Sequence, residues 1–561
     1  MKFSQMQYNR PNVDEIAETS NQLTAELAAA TTAEQAFAVY EKYDDFSEKT
    51  GSMFNLAEIR HTLDTTNEFY ATEKDFIDEY GPKAEELHQK WTETLLKSQF
   101  RPQMEEKWGN LMFLNAEIEL KTFKPEIIED LQEENRLITE YDKLMASAQI
   151  DFDGKKLTLA QMGKYAENPD RKIREDSIRA TAGWRMNQAA QLDEIYDKLV
   201  KIRTKIAQTL GHEKFTQVGY YRMQRNCYDK EMVAKFRDGV KKYIVPIVTK
   251  LKAEQAARIG VDRIKFYDNA FEYPDGNATP KGTPEEIFAH GKKMYHELSP
   301  ETAEFIDFML ENELFDVITR PGKSPGGYCS TLPEYKAPFI FANFNGTSGD
   351  IDVLTHEAGH ALAAHIAMNN IKPSALQEYS AETAEIHSMS MEFFTWPWMK
   401  GFFAEQTDKY YYSHLASALI FIPYGTMVDE FQHIMYENPQ LTPAERHQEW
   451  LKLEAQYRPW LDLSDIPYIS EGRMWQAQLH IYLYPFYYID YCLAQIMALS
   501  FWAIDQKNHS EAWQKYLRLL SLAGTKTFVD LIGDAGLPTP FVADNLKLVS
   551  DAALEWLNKR K

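Results

Sequence analysis

Residues 352–367 have the sequence DVLTHEAGHALAAHIA, which joins helix-forming and apolar residues to two histidines four positions apart. Because each residue of a helix advances by about 100°, His356 and His360 project from one face. Two neutral imidazoles at this spacing can bind one Zn²⁺, and Glu357 can hold the metal-bound water and take its proton. The apolar flanks predict a buried helix, in which the alternative is a pair of core histidines with other partners.

A catalytic zinc site needs a third protein ligand. His365 follows His360 by five residues and would lie about 180° from His356 on a continuous helix, which favours a packing or surface role. The next helical stretch, residues 373–394, carries four glutamates within about 80° of one another on a helical wheel. Such a stripe usually faces solvent, but its apolar flanks favour a partly buried position, and spacing alone does not choose the ligand. The four candidates are Glu378, Glu382, Glu385 and Glu392.

Helical periodicity dominates on both sides of this segment, so the sequence predicts a mainly α fold. We divide the chain into an N-terminal helical lobe, residues 1–165, and a catalytic region, residues 166–561. The zinc-binding helices are expected at about 352–395 and a strand element at about 337–346. A strand or hairpin in a helical protein can offer an open edge to an extended peptide, or it can simply cover the core.

Composition excludes several classes of partner. The 561 residues include 84 acidic and 61 basic side chains, giving a formal charge of -23. This charge disfavours binding to nucleic acid or anionic lipid and favours attraction of cationic substrates. The three cysteines form no CxxC pair, and no secretory leader or stretch of about 18 apolar residues is present. We therefore expect a cytoplasmic protein that binds neither nucleic acid nor membranes; the sequence does not predict its oligomeric state.

With these residues in view, the chain resembles the thimet oligopeptidase and oligoendopeptidase F family of zinc peptidases, most closely the bacterial-type oligoendopeptidases. The family pattern is HExGH, followed about 25 residues later by a glutamate in E-x-x-S-x-x-x-E, and residues 385–392, EIHSMSME, fit it. The resemblance implies that Glu385 is the third ligand of one Zn²⁺ per chain. It also makes Glu392 the candidate that orients a ligand histidine through its other ring nitrogen, with Glu382 as the alternative for this role.

A second element of the resemblance is the segment GRMWQAQLHIYLYPFYYIDY, residues 472–491, whose part 480–491 is similar to the family's histidine and tyrosine element. The resemblance implies that His480, Tyr488 and Tyr491 donate hydrogen bonds to the oxyanion and that Tyr484 contacts substrate. The alternative is that an aromatic run simply packs in the core. We prefer that alternative for Phe486 and Tyr487.

The resemblance also implies a two-lobed helical fold with a deep substrate channel lined by a small β-sheet. The strand would then pair with substrate through Ala342, Asn343 and Phe344, and Gly359 would leave room beside the metal helix. The implied activity is zinc-dependent endopeptidase cleavage of short oligopeptides, with a zinc-bound water activated by Glu357. Two alternatives remain open, a helical zinc carboxypeptidase and a non-catalytic peptide-binding protein.

Overall fold

The computed structural model describes residues 1–320, 322–324, 326–344, 346–463 and 465–560. Helices make up most of these residues, and two small sheets complete the regular structure, so the mainly α prediction is confirmed. Among the described helices, none has the length and apolar character needed to cross a membrane.

The elements begin and end at the following residues. The helices are α1 Val13–Ala29, α2 Ala33–Leu63, α3 Glu68–Lys97, α4 Arg101–Trp108, α5 Leu111–Glu119, α6 Ile128–Ala146, α7 Leu159–Ala166, α8 Arg171–Leu210, α9 Phe215–Arg222, α10 Lys230–Gly239, α11 Val245–Ile259, α12 Pro284–Leu298, α13 Pro300–Glu311, α14 Gly349–Asn370, α15 Ala381–Phe394, α16 Lys400–Phe403, α17 Thr407–Glu437, α18 Pro443–Tyr457, α19 Pro467–Ser470, α20 Leu479–Leu483, α21 Tyr488–Asp505, α22 His509–Leu522, α23 Phe528–Asp534 and α24 Ala543–Asn558. The strands are β1 Ile150–Phe152, β2 Lys155–Leu157, β3 Phe315–Ile318, β4 Tyr328–Leu332 and β5 Ala337–Phe344.

The chain forms two compact units, and each is assembled from three stretches of sequence. The first unit contains residues 1–120, 279–407 and 504–537, and the second contains residues 121–278, 408–503 and 538–561. This division differs from the boundary expected at residue 165, because segments that are distant in sequence pack together within each unit. The units also differ in charge, with 45 acidic and 23 basic residues in the first against 39 and 38 in the second.

In the first unit, the N-terminal helices pack against the carboxyl-terminal end of α14. Three of these helices begin at side-chain caps, in which Asn12, Thr32 and Asn67 accept hydrogen bonds from backbone N–H groups of the first turn. One continuous apolar core joins them to α14, and it includes Leu23, Leu27, Tyr40, Tyr43, Trp91, Phe113 and Ala367. Residues 1–120 therefore help to hold the helix that carries the histidine pair.

The three-stranded sheet also lies in the first unit, with β5 in the centre and the order β3-β5-β4. β3 runs parallel to β5, and β4 runs antiparallel to it. The expectation that residues 342–344 form an open edge is wrong, since Phe344 pairs with Ile318 of β3 and the edge strands are β3 and β4. Asn345, in the expected strand element, lies outside the described residues.

The second unit contains the segment 480–491, which spans α20 and the start of α21. The turn between these helices is fixed by a hydrogen bond of 2.9 Å from the Phe486 backbone N–H to Gln432 Oε1. A buried ion pair of 2.8 Å between Arg225 and Asp490 holds the first turn of α21. Phe486 is completely buried, so the packing role expected for it is confirmed.

Candidate metal centre and active site

Helices α14 and α15 approach each other unusually closely at Gly359. A Cβ atom at this position would lie 2.5 Å from the backbone oxygen of His387 and 2.7 Å from Ser388 Cα. No side chain larger than hydrogen fits there without separating the helices, as the family resemblance implied. Glycine is about 1 kcal/mol less favourable than alanine inside a helix. Its lack of a side chain lets the two helices approach, so that a carboxylate of α15 can reach the imidazoles of α14.

Three potential metal ligands converge at this contact. One ligand atom each from His356, His360 and Glu385 lies within 4.8 Å of the other two. Glu385 Oε2 is 3.3 Å from His356 Nε2 and 3.7 Å from His360 Nε2. In a tetrahedral zinc site with metal–ligand distances of about 2.0–2.2 Å, neighbouring ligand atoms lie about 3.3–3.6 Å apart. The two imidazoles and the carboxylate therefore fit a zinc ion in both chemistry and spacing.

Neighbouring side chains orient these three groups. His356 Nδ1 lies 2.7 Å from Glu392 Oε1, so a proton on Nδ1 is donated to that carboxylate, and Nε2 is the ring nitrogen that faces Glu385. The Ser388 hydroxyl donates a hydrogen bond of 3.0 Å to Glu385 Oε2. Burial lowers the pKa of His356, but hydrogen bonds with Glu385 and Glu392 outweigh this effect and raise it above its usual value. Burial lowers the pKa of His360 to about 4, which keeps this ring neutral as a metal ligand requires.

Glu357 lies next to the convergent ligands and is 7% exposed. Burial raises the pKa of its carboxyl to about 7, although the charge of His356 opposes the shift. A pKa in this range suits a group that accepts and returns a proton near neutral pH. The backbone of Gly327 passes close by, because a Cβ atom built there would be 3.8 Å from Glu357 Oε1.

The other histidines and glutamates of the two helices are not part of this group. The ring of His365 packs against Phe308 with centroids 4.8 Å apart, in agreement with the packing role expected for it. The His387 ring is buried against Tyr379, and its backbone oxygen accepts a hydrogen bond of 2.7 Å from the Tyr516 hydroxyl of α22. α22 thus anchors the backbone of α15 at the turn that follows Glu385. Glu378 and Glu382 also lie outside the ligand group.

The predicted oxyanion donors cluster within the second unit. The His480 ring centroid is 4.7 Å from that of Tyr488 and 5.9 Å from that of Tyr491. Gln478 Nε2 lies 2.8 Å from His480 Nδ1, while Gln478 Oε1 accepts a hydrogen bond from the Tyr424 hydroxyl. Because the amide nitrogen is the donor to Nδ1, the ring proton resides on Nε2.

The predicted substrate-binding residues have different surroundings. Ala342 and Phe344 are buried in β5, whereas the Asn343 side chain donates hydrogen bonds of 2.9 Å to the backbone oxygens of Ser324 and Gly326. Tyr484 is 55% exposed in the second unit. Asn343 therefore fastens the chain segment before β4 in this structure.

Three residues of these sites were not singled out from the sequence. Ser388 stands in the quoted E-x-x-S-x-x-x-E pattern, which gave a signal but no role. Gln478 precedes His480 by two residues, and no spacing rule identifies it as the partner of Nδ1. Gly327 belongs to a glycine pair before β4, and its closeness to Glu357 depends on tertiary structure.

Comparison with known proteins agrees with this arrangement. Residues 3–123 match the peptidase M3 N-terminal domain, and residues 164–548 match peptidase family M3. PZ peptidase A, solved with an inhibitor, is 48% identical with a TM-score of 0.95, over 100% of this chain and 99% of that chain. A protein of Bacillus anthracis str. Ames, provisionally assigned as oligoendopeptidase F, is 45% identical with a TM-score of 0.90, over 100% and 98% of the two chains.

A curated relative gives a shorter alignment. The oligoendopeptidase F homolog of Borreliella burgdorferi is 25% identical over 240 residues, which cover 41% of this chain and 39% of that protein. The family match in the catalytic region and the full-length structural similarity lead to the same classification. The chain therefore belongs to peptidase family M3 and is a peptidase of the oligoendopeptidase F type.

Proposed function

We propose that this chain is a zinc-dependent endopeptidase that hydrolyses internal bonds of short oligopeptides. The observation that carries the proposal is the convergence of His356, His360 and Glu385 beside the buried carboxyl of Glu357. A protein that only bound peptides would have no need for a proton acceptor with a pKa near 7 next to three oriented metal ligands.

The ligand set would hold one Zn²⁺, which supplies Lewis-acid activation of water and of the scissile carbonyl. Glu357 accepts a proton from the attacking water and then transfers it to the leaving amine. Glu392 keeps a proton on His356 Nδ1, so that Nε2 is the atom offered to the metal. Each protein group thus has one task, and Glu357 alone moves the proton.

We assign the stabilisation of the oxyanion to His480, Tyr488 and Tyr491, following the family resemblance. The hydrogen bond from Gln478 supports this role, because it leaves the proton on His480 Nε2 as a donor requires. Burial raises the pKa of Tyr488, so its hydroxyl stays protonated. Removal of one such donor typically costs about 3–4 kcal/mol of transition-state stabilisation.

We propose that the substrate backbone pairs with the outer edge of β4. The Thr331 carbonyl accepts a hydrogen bond from Asn55 Nδ2 and so points away from β5. Because backbone groups alternate in direction along a strand, those of Cys329 and Gly327 point to the same outer side. Gly327 is also the residue beside Glu357, so a peptide on this edge would bring a carbonyl near the base. Tyr484 remains a proposed contact with substrate side chains.

The decisive experiment compares Glu357→Gln with Glu378→Gln. Glu378 provides the control because it lies in the same region but outside the ligand group. We expect the Glu357 variant to keep one zinc per chain and to lose nearly all turnover of an internally quenched fluorescent peptide. The Glu378 variant should retain both properties. Near-native turnover by Glu357→Gln would refute the assignment of the base.

A second measurement separates endopeptidase from carboxypeptidase activity. Peptides with free and amidated C-termini are digested, and the products are identified by mass spectrometry. An endopeptidase cleaves both peptides at the same internal bonds, whereas a carboxypeptidase stalls on the amide. Loss of cleavage on amidation would replace the proposal with the carboxypeptidase alternative.

A further inference from the structure

Lys323 is a buried lysine that the proposed reaction does not use. Its side chain is completely buried between β3 and β5, on the segment that joins β3 to β4. The ammonium group lies 2.7 Å from Asp316 Oδ1, and it also donates to the backbone oxygens of Asp316, Ile318 and Ala342. It sits 4.5 Å from the centroid of the Phe341 ring. Burying an ammonium group costs free energy, so a lysine at this position indicates a structural role for its charge.

The three carbonyl groups that Lys323 binds lie at an irregularity of the sheet. Asp316 pairs with Phe341 and Ile318 pairs with Phe344, so an advance of two residues along β3 corresponds to an advance of three residues along β5. A register shift of this kind disrupts the ladder locally and leaves backbone groups unpaired. The ammonium group satisfies carbonyls on both strands, and the Asp316 carboxylate balances its charge.

The irregular part of the sheet also holds the segment that leads to β4 through hydrogen bonds. Asn343, within the shifted part of β5, donates hydrogen bonds to the backbone oxygens of Ser324 and Gly326, which belong to that segment. Lys323 itself and the two backbone oxygens that Asn343 binds all lie within four residues before Gly327. Arg320 adds a third contact through hydrogen bonds of 2.8 and 2.9 Å to Asp316. The backbone next to Glu357 is thus positioned by groups that contact neither metal ligands nor base.

We infer that Lys323 is a positioning residue for substrate binding, which acts by fixing Gly327 and the outer edge of β4 beside Glu357. The inference rests on the proposed function, because it assumes that substrate pairs with that edge. The irregularity of the sheet exposes the backbone oxygens of Asp316, Ile318 and Ala342, and Lys323 stabilises this part of the sheet by donating hydrogen bonds to them. Burial lowers the pKa of the Lys323 ammonium, while its hydrogen bond to Asp316 opposes that effect.

The test compares Lys323→Met with Lys336→Met. Both changes replace an ammonium by an apolar chain of similar length, but Lys336 is exposed in the β4–β5 connection. We expect Lys323→Met to raise KM for an oligopeptide about tenfold to a hundredfold, with a smaller change in kcat and full zinc content. Lys336→Met should match the wild type. Partial unfolding alone would lower the apparent kcat and leave KM unchanged, so the increase in KM separates positioning from stability.

Each outcome decides one question. An unchanged KM in Lys323→Met, or a loss of zinc that accounts for the loss of activity, overturns the positioning role. Absence of wild-type endopeptidase activity refutes the proposed function instead. If Lys323→Met does not fold, the double variant Lys323→Met, Asp316→Asn, which leaves no buried carboxylate unpaired, takes its place, and the same rise in KM is required. The double variant Lys323→Met, Asp316→Asn should recover stability but not KM.

Discussion

Replacement of Gly359 by alanine tests whether the separation of two helices sets zinc affinity. The added Cβ atom would lie 2.5 Å from His387 O, 2.9 Å from His387 C and 2.7 Å from Ser388 Cα. All three atoms belong to the backbone of α15, so no side-chain rotation relieves the contact. Restoring ordinary van der Waals distances requires α14 and α15 to move apart by about 0.5–0.9 Å.

This displacement separates Glu385 from the two histidines, because the carboxylate and the imidazoles lie on different helices. Metal–ligand distances tolerate only about 0.2 Å, so we expect zinc affinity to fall at least about tenfold. Overpacking costs about 1–3 kcal/mol, and the better helix propensity of alanine returns about 1 kcal/mol. The net loss of folding stability is therefore about 0–2 kcal/mol, which leaves the variant folded and measurable.

Zinc affinity is measured by competition with a chromogenic chelator, and stability by urea unfolding of the metal-free protein. Gly51→Ala in α2 is the matched control, since no atom lies within 4 Å of a Cβ atom built there. The control should gain up to about 1 kcal/mol of stability and bind zinc normally. Wild-type zinc affinity in Gly359→Ala would show that the close approach is not needed for the metal centre.

Three further predictions follow from the same geometry. Glu392→Gln should weaken zinc binding about 10–100-fold, measured by chelator competition, because the charge that holds the His356 Nδ1 proton is lost. Tyr491→Phe should lower kcat more than it raises KM, since an oxyanion donor acts in the transition state; an unchanged kcat would return Tyr491 to a packing role. The third prediction compares peptides that share one core sequence but have lysine or glutamate residues on both sides of it. As ionic strength rises from about 0.01 M to about 0.3 M, kcat/KM should fall for the lysine peptides and rise for the glutamate peptides, because the first unit carries 45 acidic and 23 basic residues. Equal dependence on ionic strength for both peptides would exclude electrostatic steering.

The sequence predicted the parts of the site that depend on local geometry. The spacing of His356 and His360 on one helix is a property of 3.6 residues per turn, and the structure has both on α14. The choice of Glu385 did not follow from spacing, because four glutamates share a face of the next helical stretch. Family resemblance chose it, and in the structure one ligand atom each of Glu385, His356 and His360 lies within 4.8 Å of the other two. The role of Glu385 as a zinc ligand stays a prediction.

Features that depend on contacts between distant segments were not predicted. β5 has an almost continuous apolar sequence, which is compatible with a strand that has an open edge, yet β5 is central because β3 and β4 pair with its two sides. No local pattern reports the partners of a strand. For the same reason, no local pattern indicates that residues 279–407 and 504–537 join residues 1–120 in one unit.

That grouping changes how the N-terminal helices should be understood. They provide none of the ligands, but their core includes Ala367, so they fix the far end of the helix that carries the histidines. α22 fixes the other helix through the bond from Tyr516 to His387 O. Because both helices are held from outside and meet at Gly359, the ligand atoms lie near zinc geometry through the protein's own packing. For the proposed zinc enzyme, we therefore expect metal affinity to depend on the packing of the whole first unit, including residues 1–120.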